Sequence, residues 1–528
     1  MGKVVAIGID GAPWELVNRF IQSGSLPNLA SLVEEGTSAD LMSTIPAVTS
    51  PAWKCYSTGK NPGKLGAFWW TKVDFKQKRV SFVSSGDFRG KDHWDYIADS
   101  GETCVVINQP MTYPPPKEFN GIFVSGVPAL ENDDYTTPKE LKADLVKRHD
   151  WRIAPEVLLD INPRRAIKSI TSLIDARFDL AEEYLADAGF VQVSVFLIDD
   201  IQHYTWRQMK EGKGEFKDAI ETRWRQIDGR IGRLRDMMGS EDHMVIFSDH
   251  GFCDFKGALY INEWLGDEHI KRKVTTMPKG RGRTSRMVNM ANTLHLTPIL
   301  KKMMSQERLK AIQDRTMEEE LDRREFFVWE ETRVLGGGEG PIYINRDLVP
   351  DDLEYEALRD RLIEGLVALE HPDTGDRVID RVVRREEAYS GPFLDEAPDL
   401  IAIPALGYTI SPHVSEERNL WATGDTYHNE WTGIHREEGI LILWGPEIKA
   451  GERLDSARIY DVAPTILALK GLPIPDDMDG RVLVEAMQEP DRYRDLDSVE
   501  GDSDQRGHTF TEDEEKALQD RLKSLGYM

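Results

Sequence analysis

The sequence predicts an α/β fold in which a mostly parallel central sheet has helices on both faces and carries an inserted cap. Short, nearly continuous apolar runs recur along the chain, which is typical of strands buried on both faces. Helix-like stretches such as 14–35 and 167–188 alternate with these runs, and the alternation indicates parallel strands joined by helices. Several runs end in side chains that can ligate metals, at the sheet edge where such folds gather ligands.

The predicted strands and units follow from these patterns. The strands are 4–9, 104–108, 121–127, 191–198, 244–247, 400–403 and 440–444. Residues 1–253 and 398–487 are predicted to form the core. The segment 254–397 is predicted to be the cap, because it combines a basic run, a glycine run and helical stretches. A charged C-terminal tail, 488–528, is expected to contain one helix.

Charge and cysteine content limit the class of protein. The 528 residues carry a net charge of -26, which argues against binding to a nucleic-acid duplex. The three cysteines are too few and too widely spaced for a disulfide framework or a CxxC metal site. Neither a signal peptide nor an apolar membrane span is evident, so we expect a cytoplasmic protein. The oligomeric state is not determined by these features.

The first two strand ends offer a carboxylate and a carboxylate–imidazole pair. Asp10 follows the run 4–9 and precedes Gly11, although an aspartate at this place is by itself more often a turn former or helix cap. After the run 191–198, Asp199 and His203 are four residues apart, so that on a helical turn they share one face.

Two further strand ends complete a metal-type set. Asp249 and His250 follow the run 244–247, and Gly251 would permit the bend that both need to reach one metal. His435 precedes the run 440–444 and gains its weight from the other candidates. Three carboxylates and three imidazoles suit two divalent cations, with zinc preferred and manganese as the alternative. A pair of cations can stabilise both oxygens of an in-line displacement.

Thr49 is the candidate nucleophile. It lies between Pro46 and Pro51, which restrict the backbone of this segment, and its neighbour Ser50 is the alternative. A threonine hydroxyl needs metal coordination or an adjacent base to act as a nucleophile. An ordinary hydroxyl in a proline-rich turn is the structural alternative.

Taken in order, these segments resemble the type I phosphodiesterase/nucleotide pyrophosphatase family of the alkaline phosphatase superfamily. The matching segments are Ile9-Asp10-Gly11, Thr49-Ser50-Pro51, Ser57-Thr58-Gly59-Lys60-Asn61-Pro62-Gly63-Lys64, Asp199 with His203, Ser248-Asp249-His250-Gly251, His435 before Gly445-Pro446, Tyr460-Asp461-Val462-Ala463-Pro464-Thr465 and Met478-Asp479-Gly480-Arg481. The resemblance implies an alkaline-phosphatase-like core.

The resemblance also implies a division of ligands and a reaction. One metal would take Asp10, Asp249, His250 and the Thr49 oxygen, and the other would take Asp199, His203 and His435. Thr49 would attack phosphorus and form a phospho-threonine intermediate, which metal-activated water would then hydrolyse. We expect a small phosphate ester as substrate, with a diester favoured over a monoester. The alternatives are a phosphotransferase or mutase that uses the same intermediate, and a non-catalytic scaffold that binds a phosphorylated ligand.

The sequence departs from its relatives near the nucleophile. At the nucleophile, nucleotide pyrophosphatases have a motif that resembles Thr-Phe-Pro-Asn, and Ala52 stands in the place of its Asn. Leu65 stands where many relatives have His. Sulfatases have a Cys/Ser-x-Pro-x-Arg pattern at the nucleophile, and the segment Thr49-Ser50-Pro51-Ala52-Trp53 lacks its Arg, which argues against a sulfatase. Lys54 and Lys64 could supply the missing positive group, and Trp69 could line the leaving-group pocket, although surface lysines and core packing are the alternatives.

The inserted segment contains a local cationic run between 271 and 286, followed by the apolar stretch 287–304. A basic cluster beside an amphipathic helix could hold an anionic substrate or touch a phospholipid surface. A flexible basic loop with a cap helix is the alternative, and we prefer it.

Overall fold

A large, mostly parallel sheet forms the centre of the molecule, as the sequence predicts. The computed structural model describes residues 2–83, 85–157, 159–271, 327–413, 419–423, 431–494 and 496–502. In spatial order the central sheet consists of Glu452–Arg453, Thr37–Met42, Glu438–Trp444, His243–Phe247, Val4–Ile9, Phe190–Val195, Cys104–Gln109, Gly121–Ser125 and Thr136–Thr137, with Ala457–Arg458 also paired to Thr37–Met42. Glu438–Trp444 and Thr136–Thr137 run antiparallel to their neighbours.

Helices cover the central sheet and build part of the cap. The α-helices among the described residues are Trp14–Gln22, Pro27–Glu35, Thr49–Thr58, Pro62–Leu65, His93–Asp99, Leu141–His149, Pro163–Tyr184, Ile198–Glu211, Ala219–Asp236, Ile261–His269, Asp352–Val367, Arg385–Ala388, Val462–Leu469 and Pro490–Arg494. Short 3-10 turns are Ser85–Asp87, Trp329–Glu331, Leu394–Glu396, Ile459–Asp461 and Val484–Ala486. We find no helix in the described ranges with the length and apolar character needed to cross a membrane.

One predicted helical stretch divides into two helices. The stretch 14–35 breaks after Gln22, because Gly24 has a φ of +75° and Pro27 is suited to the first turn of a new helix. The stretch 167–188 is the single long helix Pro163–Tyr184. All six residues of the strand Val4–Ile9 are buried, in keeping with its continuous apolar sequence.

A second sheet belongs mainly to the inserted segment. This cap sheet contains Val334–Gly336, Pro341–Ile344, Leu400–Pro404 and Ile379–Arg384 in that order. The glycine run, predicted as a turn, begins at the end of the first of these strands and leads into the second. The strand Leu400–Pro404 lies beyond the predicted boundary at 398, yet it pairs with Pro341–Ile344 and Ile379–Arg384 of the inserted segment. In strand pairing the inserted segment therefore continues past 398. The domain limits themselves stay predictions.

Smaller sheets complete the described structure. They pair Gly251–Asp254 with Gly433–Arg436, Gly257–Tyr260 with both Tyr408–Ser411 and Trp421–Ala422, Thr71–Asp74 with Arg79–Phe82, and Ile474–Pro475 with Ser498–Val499. His435 therefore lies in a strand of its own rather than only before the next one. The basic run after Lys271, the apolar stretch 287–304 and the predicted C-terminal helix lie outside the described residues.

Candidate metal centre

Three aspartates meet at one edge of the central sheet. Asp10 directly follows Val4–Ile9, and this strand pairs in parallel with Phe190–Val195 on one side and His243–Phe247 on the other. Asp199, in the first turn of the helix after the former strand, and Asp249, after the latter, are thereby brought beside Asp10. All three residues are fully buried.

The first cluster joins Asp10, Asp249 and His250 to Thr49. Nε2 of His250 lies 3.4 Å from Oδ1 of Asp10 and 3.4 Å from Oδ2 of Asp249. The same nitrogen lies 3.4 Å from Oγ1 of Thr49. Thr49 is the first residue of the helix Thr49–Thr58, so its hydroxyl is near the end of a helix that favours negative charge.

The second cluster consists of Asp199, His203 and His435. Nε2 of His203 lies 3.0 Å from Oδ2 of Asp199, and Nε2 of His435 lies 3.4 Å from Oδ1 of the same carboxylate. The two imidazole nitrogens are 3.1 Å apart. His435 is carried to this place by the pairing of its strand with Gly251–Asp254, in which His435 lies opposite Phe252.

The two clusters adjoin each other. The rings of His250 and His435 stack with their centroids 3.9 Å apart. Two groups of side chains could each hold a metal ion, namely Asp10 with Asp249 and His250, and Asp199 with His250 and His435. All seven residues that the sequence nominated thus form one connected centre, although their role as ligands stays a prediction.

In two of these imidazoles a hydrogen bond at Nδ1 leaves Nε2 with a lone pair that is directed toward the clusters. Nδ1 of His203 donates to the carbonyl of Gly433 at 2.9 Å, and Nδ1 of His250 donates to the carbonyl of Gly251 at 3.1 Å. A neutral imidazole that donates through Nδ1 has an acceptor at Nε2. Both Nε2 atoms therefore turn a lone pair toward carboxyl oxygens, which is an arrangement that a cation would stabilise.

Burial and charge perturb the carboxylates further. Burial and the Asp249 charge raise the pKa of Asp10 well above its usual range, and burial together with Asp199 raises the pKa of Asp249 to about 8. Burial would also raise the pKa of Asp199, but the charges of His203 and His435 hold this pKa well below its usual range. Oδ1 of Asp10 and Oδ2 of Asp249 are buried and accept no hydrogen bond from a described residue. The donor set therefore fits divalent cations.

Two residues close to the aspartates are needed for their packing. Gly11 has a φ of +66°, and a Cβ there would lie 2.7 Å from Oδ1 of Asp199, so a larger residue would disturb the centre. Nε1 of Trp53, one turn into the helix that begins at Thr49, donates to Oδ2 of Asp10 at 3.1 Å. Sequence reasoning missed Trp53, since a buried tryptophan in a helix is ordinarily a core residue.

Lys54, Lys64 and Trp69, which were predicted from the sequence to contact the substrate, lie in different surroundings. Lys54 is buried and pairs with Asp92 at 2.6 Å, while Lys64 pairs with Asp479 at 2.7 Å, so both ammonium groups are engaged by carboxylates. Trp69 is buried, and its Nε1 donates to Oε2 of Glu339 at 3.3 Å. Trp69 thus adjoins the centre through Glu339, whereas the structure does not bring the two lysines into the clusters.

A cavity of 230 Å³ lies beside His435 and could receive the organic group of a substrate. Its wall is partly apolar, with Pro46 and Ala47, and partly charged, with Glu339, Arg381 and Arg436. Glu339 is a residue of the site that sequence reasoning missed, because a single acid within a glycine run resembles an ordinary turn.

Comparison with known proteins identifies the family. The family profile described as type I phosphodiesterase/nucleotide pyrophosphatase matches residues 4–432. The chain belongs to this family. It is therefore an enzyme that acts on phosphate esters, of a family that is generally metal-dependent. The non-catalytic scaffold is not supported.

Solved structures show the same fold at low sequence identity. Phosphonoacetate hydrolase from Sinorhizobium meliloti, in complex with phosphonoformate, is 16% identical, with a TM-score of 0.55 over 89% of this chain and 95% of its own. Human ectonucleotide pyrophosphatase/phosphodiesterase 5 is 12% identical, with a TM-score of 0.51 over 92% of this chain and 100% of its own. The murine counterpart has been solved in complex with AMP, with a TM-score of 0.50, 12% identity, and coverage of 92% of this chain and 100% of its own.

One curated relative shares a short segment. A 2,3-bisphosphoglycerate-independent phosphoglycerate mutase from Cereibacter sphaeroides is 49% identical over 47 residues. This segment is 9% of this chain and 9% of the mutase.

Proposed function

We propose that this enzyme hydrolyses phosphodiesters through a phospho-threonine intermediate on Thr49, with two zinc ions held by the adjoining clusters. Asp10, Asp249 and His250 would hold one cation beside Thr49, and the remaining three nominated ligands, Asp199, His203 and His435, would hold the other. Manganese is the alternative metal. Bound cations of this kind lower the pKa of hydroxyl groups and neutralise charge on the oxygens of a displacement.

The observation that carries this proposal is the convergence of acceptor atoms beside one hydroxyl. Two buried imidazoles, those of His203 and His250, meet the partly buried imidazole of His435 and three buried carboxylates at a common centre. Oγ1 of Thr49 lies 3.4 Å from Nε2 of His250. Such a concentration of buried acceptors is unfavourable unless cations occupy it. The centre also lies at the strand ends where α/β enzymes bind ligands.

In the proposed reaction the Thr49 oxygen attacks phosphorus, and the bond between phosphorus and the departing alcohol oxygen breaks. The hydroxyl proton leaves Thr49, and the alcohol gains a proton. A water oxygen then attacks the phospho-threonine, the bond to the Thr49 oxygen breaks, and Thr49 recovers its proton. The helix N-terminus at Thr49 favours the negative charge that develops on its oxygen.

The surroundings of the two lysines favour a diester. A monoester brings one more negative charge than a diester and needs more positive charge to bind. Lys54 and Lys64, the candidates from the sequence for binding the phosphate, are instead paired with Asp92 and Asp479. Arg381 and Arg436, which line the cavity, are likewise paired with Glu437 and Glu438. The two metals would then be the main source of positive charge, which suits a substrate with a single charge.

Phosphoryl transfer to a second alcohol is the other candidate reaction. The mutase segment of 47 residues is the observation in its favour. The same phospho-threonine would serve, with an alcohol replacing water in the second displacement. Adding glycerol during turnover separates the two reactions. A transferase would form glycerol phosphate from p-nitrophenyl phosphate, or the p-nitrophenyl ester of glycerol phosphate from bis-p-nitrophenyl phosphate, at the expense of the hydrolysis product.

The decisive experiment measures hydrolysis of bis-p-nitrophenyl phosphate and p-nitrophenyl phosphate by the purified protein loaded with zinc or manganese. Thr49→Ala should lower kcat/KM for the diester at least about 10³-fold, because it removes the nucleophile. Ser50→Ala is the matched control, since Ser50 is the next residue of the same helix and equally buried. Undiminished turnover by Thr49→Ala would contradict the proposal, and loss only in Ser50→Ala would transfer the role to Ser50.

A further inference from the structure

Glu339 occupies a turn that holds it against the metal centre. It lies between the cap strands Val334–Gly336 and Pro341–Ile344, with a φ of +58°, which is costly for a residue other than glycine. Its backbone N–H donates to the carbonyl of Ile410 at 2.8 Å, which fixes the turn. A functional contact of the side chain would explain why an acid stands at this strained position.

The glycines on either side of Glu339 let the turn pack closely against its neighbours. A Cβ at Gly338 would lie 2.5 Å from the ring of Trp69, and Gly340 has a φ of +114° with the carbonyl of Ala402 only 1.9 Å from a Cβ. Larger residues at these positions would therefore push the turn away from the core. The glycine run allows the cap to deliver one carboxylate to a fixed place.

Both oxygens of the Glu339 carboxylate have partners in the site. Oε1 lies 3.5 Å from Nδ1 of His435, and Oε2 accepts the 3.3 Å hydrogen bond from Nε1 of Trp69. Nε2 of His435 faces the other way, toward Asp199 and His203. The carboxylate thus meets the outer nitrogen of the imidazole while the inner nitrogen faces the proposed cation.

In the other two imidazoles Nδ1 also faces an oxygen, at hydrogen-bond distances of 2.9 and 3.1 Å rather than the 3.5 Å ion-pair distance of His435. Nδ1 of His203 and Nδ1 of His250 each donate to a backbone carbonyl, at Gly433 and Gly251 respectively. Each of the three imidazoles therefore has an oxygen at Nδ1, and only His435 obtains it from a side chain. A carboxylate at this position fixes the tautomer and makes the inner nitrogen a better ligand than a carbonyl does.

We propose that Glu339 is the positioning residue of His435, and that the inserted segment thereby completes the second cluster. The carboxylate holds the proton on Nδ1 and leaves Nε2 as the donor to the cation, while Trp69 orients the carboxylate. This inference rests on the proposed function, because it concerns a ligand of the proposed metal. It gives the cap a role in metal binding, separate from any role in substrate choice.

The test measures zinc affinity in Glu339→Gln and Glu339→Ala by competition with a chromophoric chelator. One of the two zinc ions should bind about 10- to 100-fold more weakly, with alanine worse than glutamine. For bis-p-nitrophenyl phosphate kcat should fall more than KM rises. Trp69→Phe keeps an aromatic ring but removes the N–H donor, so it should show a smaller loss of the same ion. Glu330→Gln, an exposed acid of the same segment, is the control and should bind both ions normally.

The outcomes separate this inference from the proposed function. If the wild-type protein binds two zinc ions and both Glu339 variants bind them equally well, Glu339 does not position His435. Weaker binding of both ions, with a lower unfolding temperature in chelator, would show only a structural role and would also overturn the inference. A wild-type protein that binds no divalent cation would contradict the proposed function itself.

Discussion

At the scale of single residues, the centre combines groups that destabilise one another. Asp10, Asp199 and Asp249 are fully buried, and mutual repulsion contributes to the raised pKa values of Asp10 and Asp249. Buried carboxylates without compensating charge reduce the free energy of unfolding. The protein accepts this cost because the same atoms form the proposed metal site, as often occurs where function and stability conflict.

Asp249→Asn should therefore have opposite effects on the metal-free and the metal-loaded protein. In chelator the variant should unfold at a higher temperature than the wild type, because the buried Asp249 carboxyl, whose pKa is raised to about 8, must take up a proton on folding and asparagine need not. Excess zinc should stabilise the wild type strongly, because a ligand that binds only the folded state raises the free energy of unfolding. It should stabilise the variant only a little. Thermal unfolding with chelator and with zinc measures both effects. A variant that zinc stabilises as much as the wild type would show that Asp249 is not a ligand.

At the scale of elements, the helix Thr49–Thr58 links the nucleophile to the core. Thr49 begins the helix, Trp53 supports Asp10, and every residue of the helix is buried. The carbonyl of Ser57, near its end, accepts a hydrogen bond of 2.9 Å from Nδ1 of His93, the first residue of the helix His93–Asp99. This contact fixes the far end of the element that presents the nucleophile.

His93 should make the stability of the protein depend on pH. Burial lowers the pKa of His93 from 6.5 to about 4, so the unfolded chain takes up this proton at a higher pH than the folded protein. The contribution of neutral His93 is complete above pH 6.5 and is lost as the pH falls toward 4. The full loss is on the order of 3 kcal/mol.

The effect of His93 can be isolated by denaturant unfolding between pH 4 and 7.5. His93→Gln keeps a donor for the Ser57 carbonyl but does not titrate, so its free energy of unfolding should fall less steeply with acid than that of the wild type. His371→Gln, at a partly buried histidine of the inserted segment, is the control and should keep the wild-type slope. An unchanged slope in His93→Gln would contradict the assignment.

At the scale of the whole molecule, the two largest hydrophobic cores of the described residues belong to the central sheet and to the cap. The larger core surrounds the central sheet, and a second core is formed by the cap sheet with the helices Ile261–His269 and Asp352–Val367. Glu339 belongs to the cap side, and its contact with His435 connects this unit to the clusters. The cap can therefore affect the metal centre without supplying a ligand.

Leu358→Ala should destabilise the cap in preference to the central sheet. Leu358 is fully buried in the second core, and loss of its side chain should cost about 2–5 kcal/mol of the free energy of unfolding. Native-state hydrogen exchange should become faster in Asp352–Val367 and Ile379–Arg384 and remain slow in Val4–Ile9. Leu353→Ala is the matched control, because Leu353 belongs to the same helix and is 81% exposed. Equal acceleration in all three segments would indicate a single cooperative unit.

Much of the fold and of the site could be predicted from local sequence. The strand Val4–Ile9 has the predicted bounds, and His243–Phe247 begins one residue earlier than expected. The break in the stretch 14–35 was missed, although Gly24 and Pro27 are local signals for it. Asp199 and His203 share one face of a helix as their spacing predicts, because the helical repeat is a local property.

By itself, the sequence determined the α/β class and which side chains are candidate ligands, because apolar periodicity and chemical identity are local properties. Tertiary structure decided how these groups meet. His435 reaches the centre through pairing of its strand with a strand more than 180 residues earlier in the chain, which no local pattern specifies. Glu339 and Trp69 are 270 residues apart and meet only because the cap packs on the core. The paired lysines show the same point, since their carboxylate partners become neighbours only after folding.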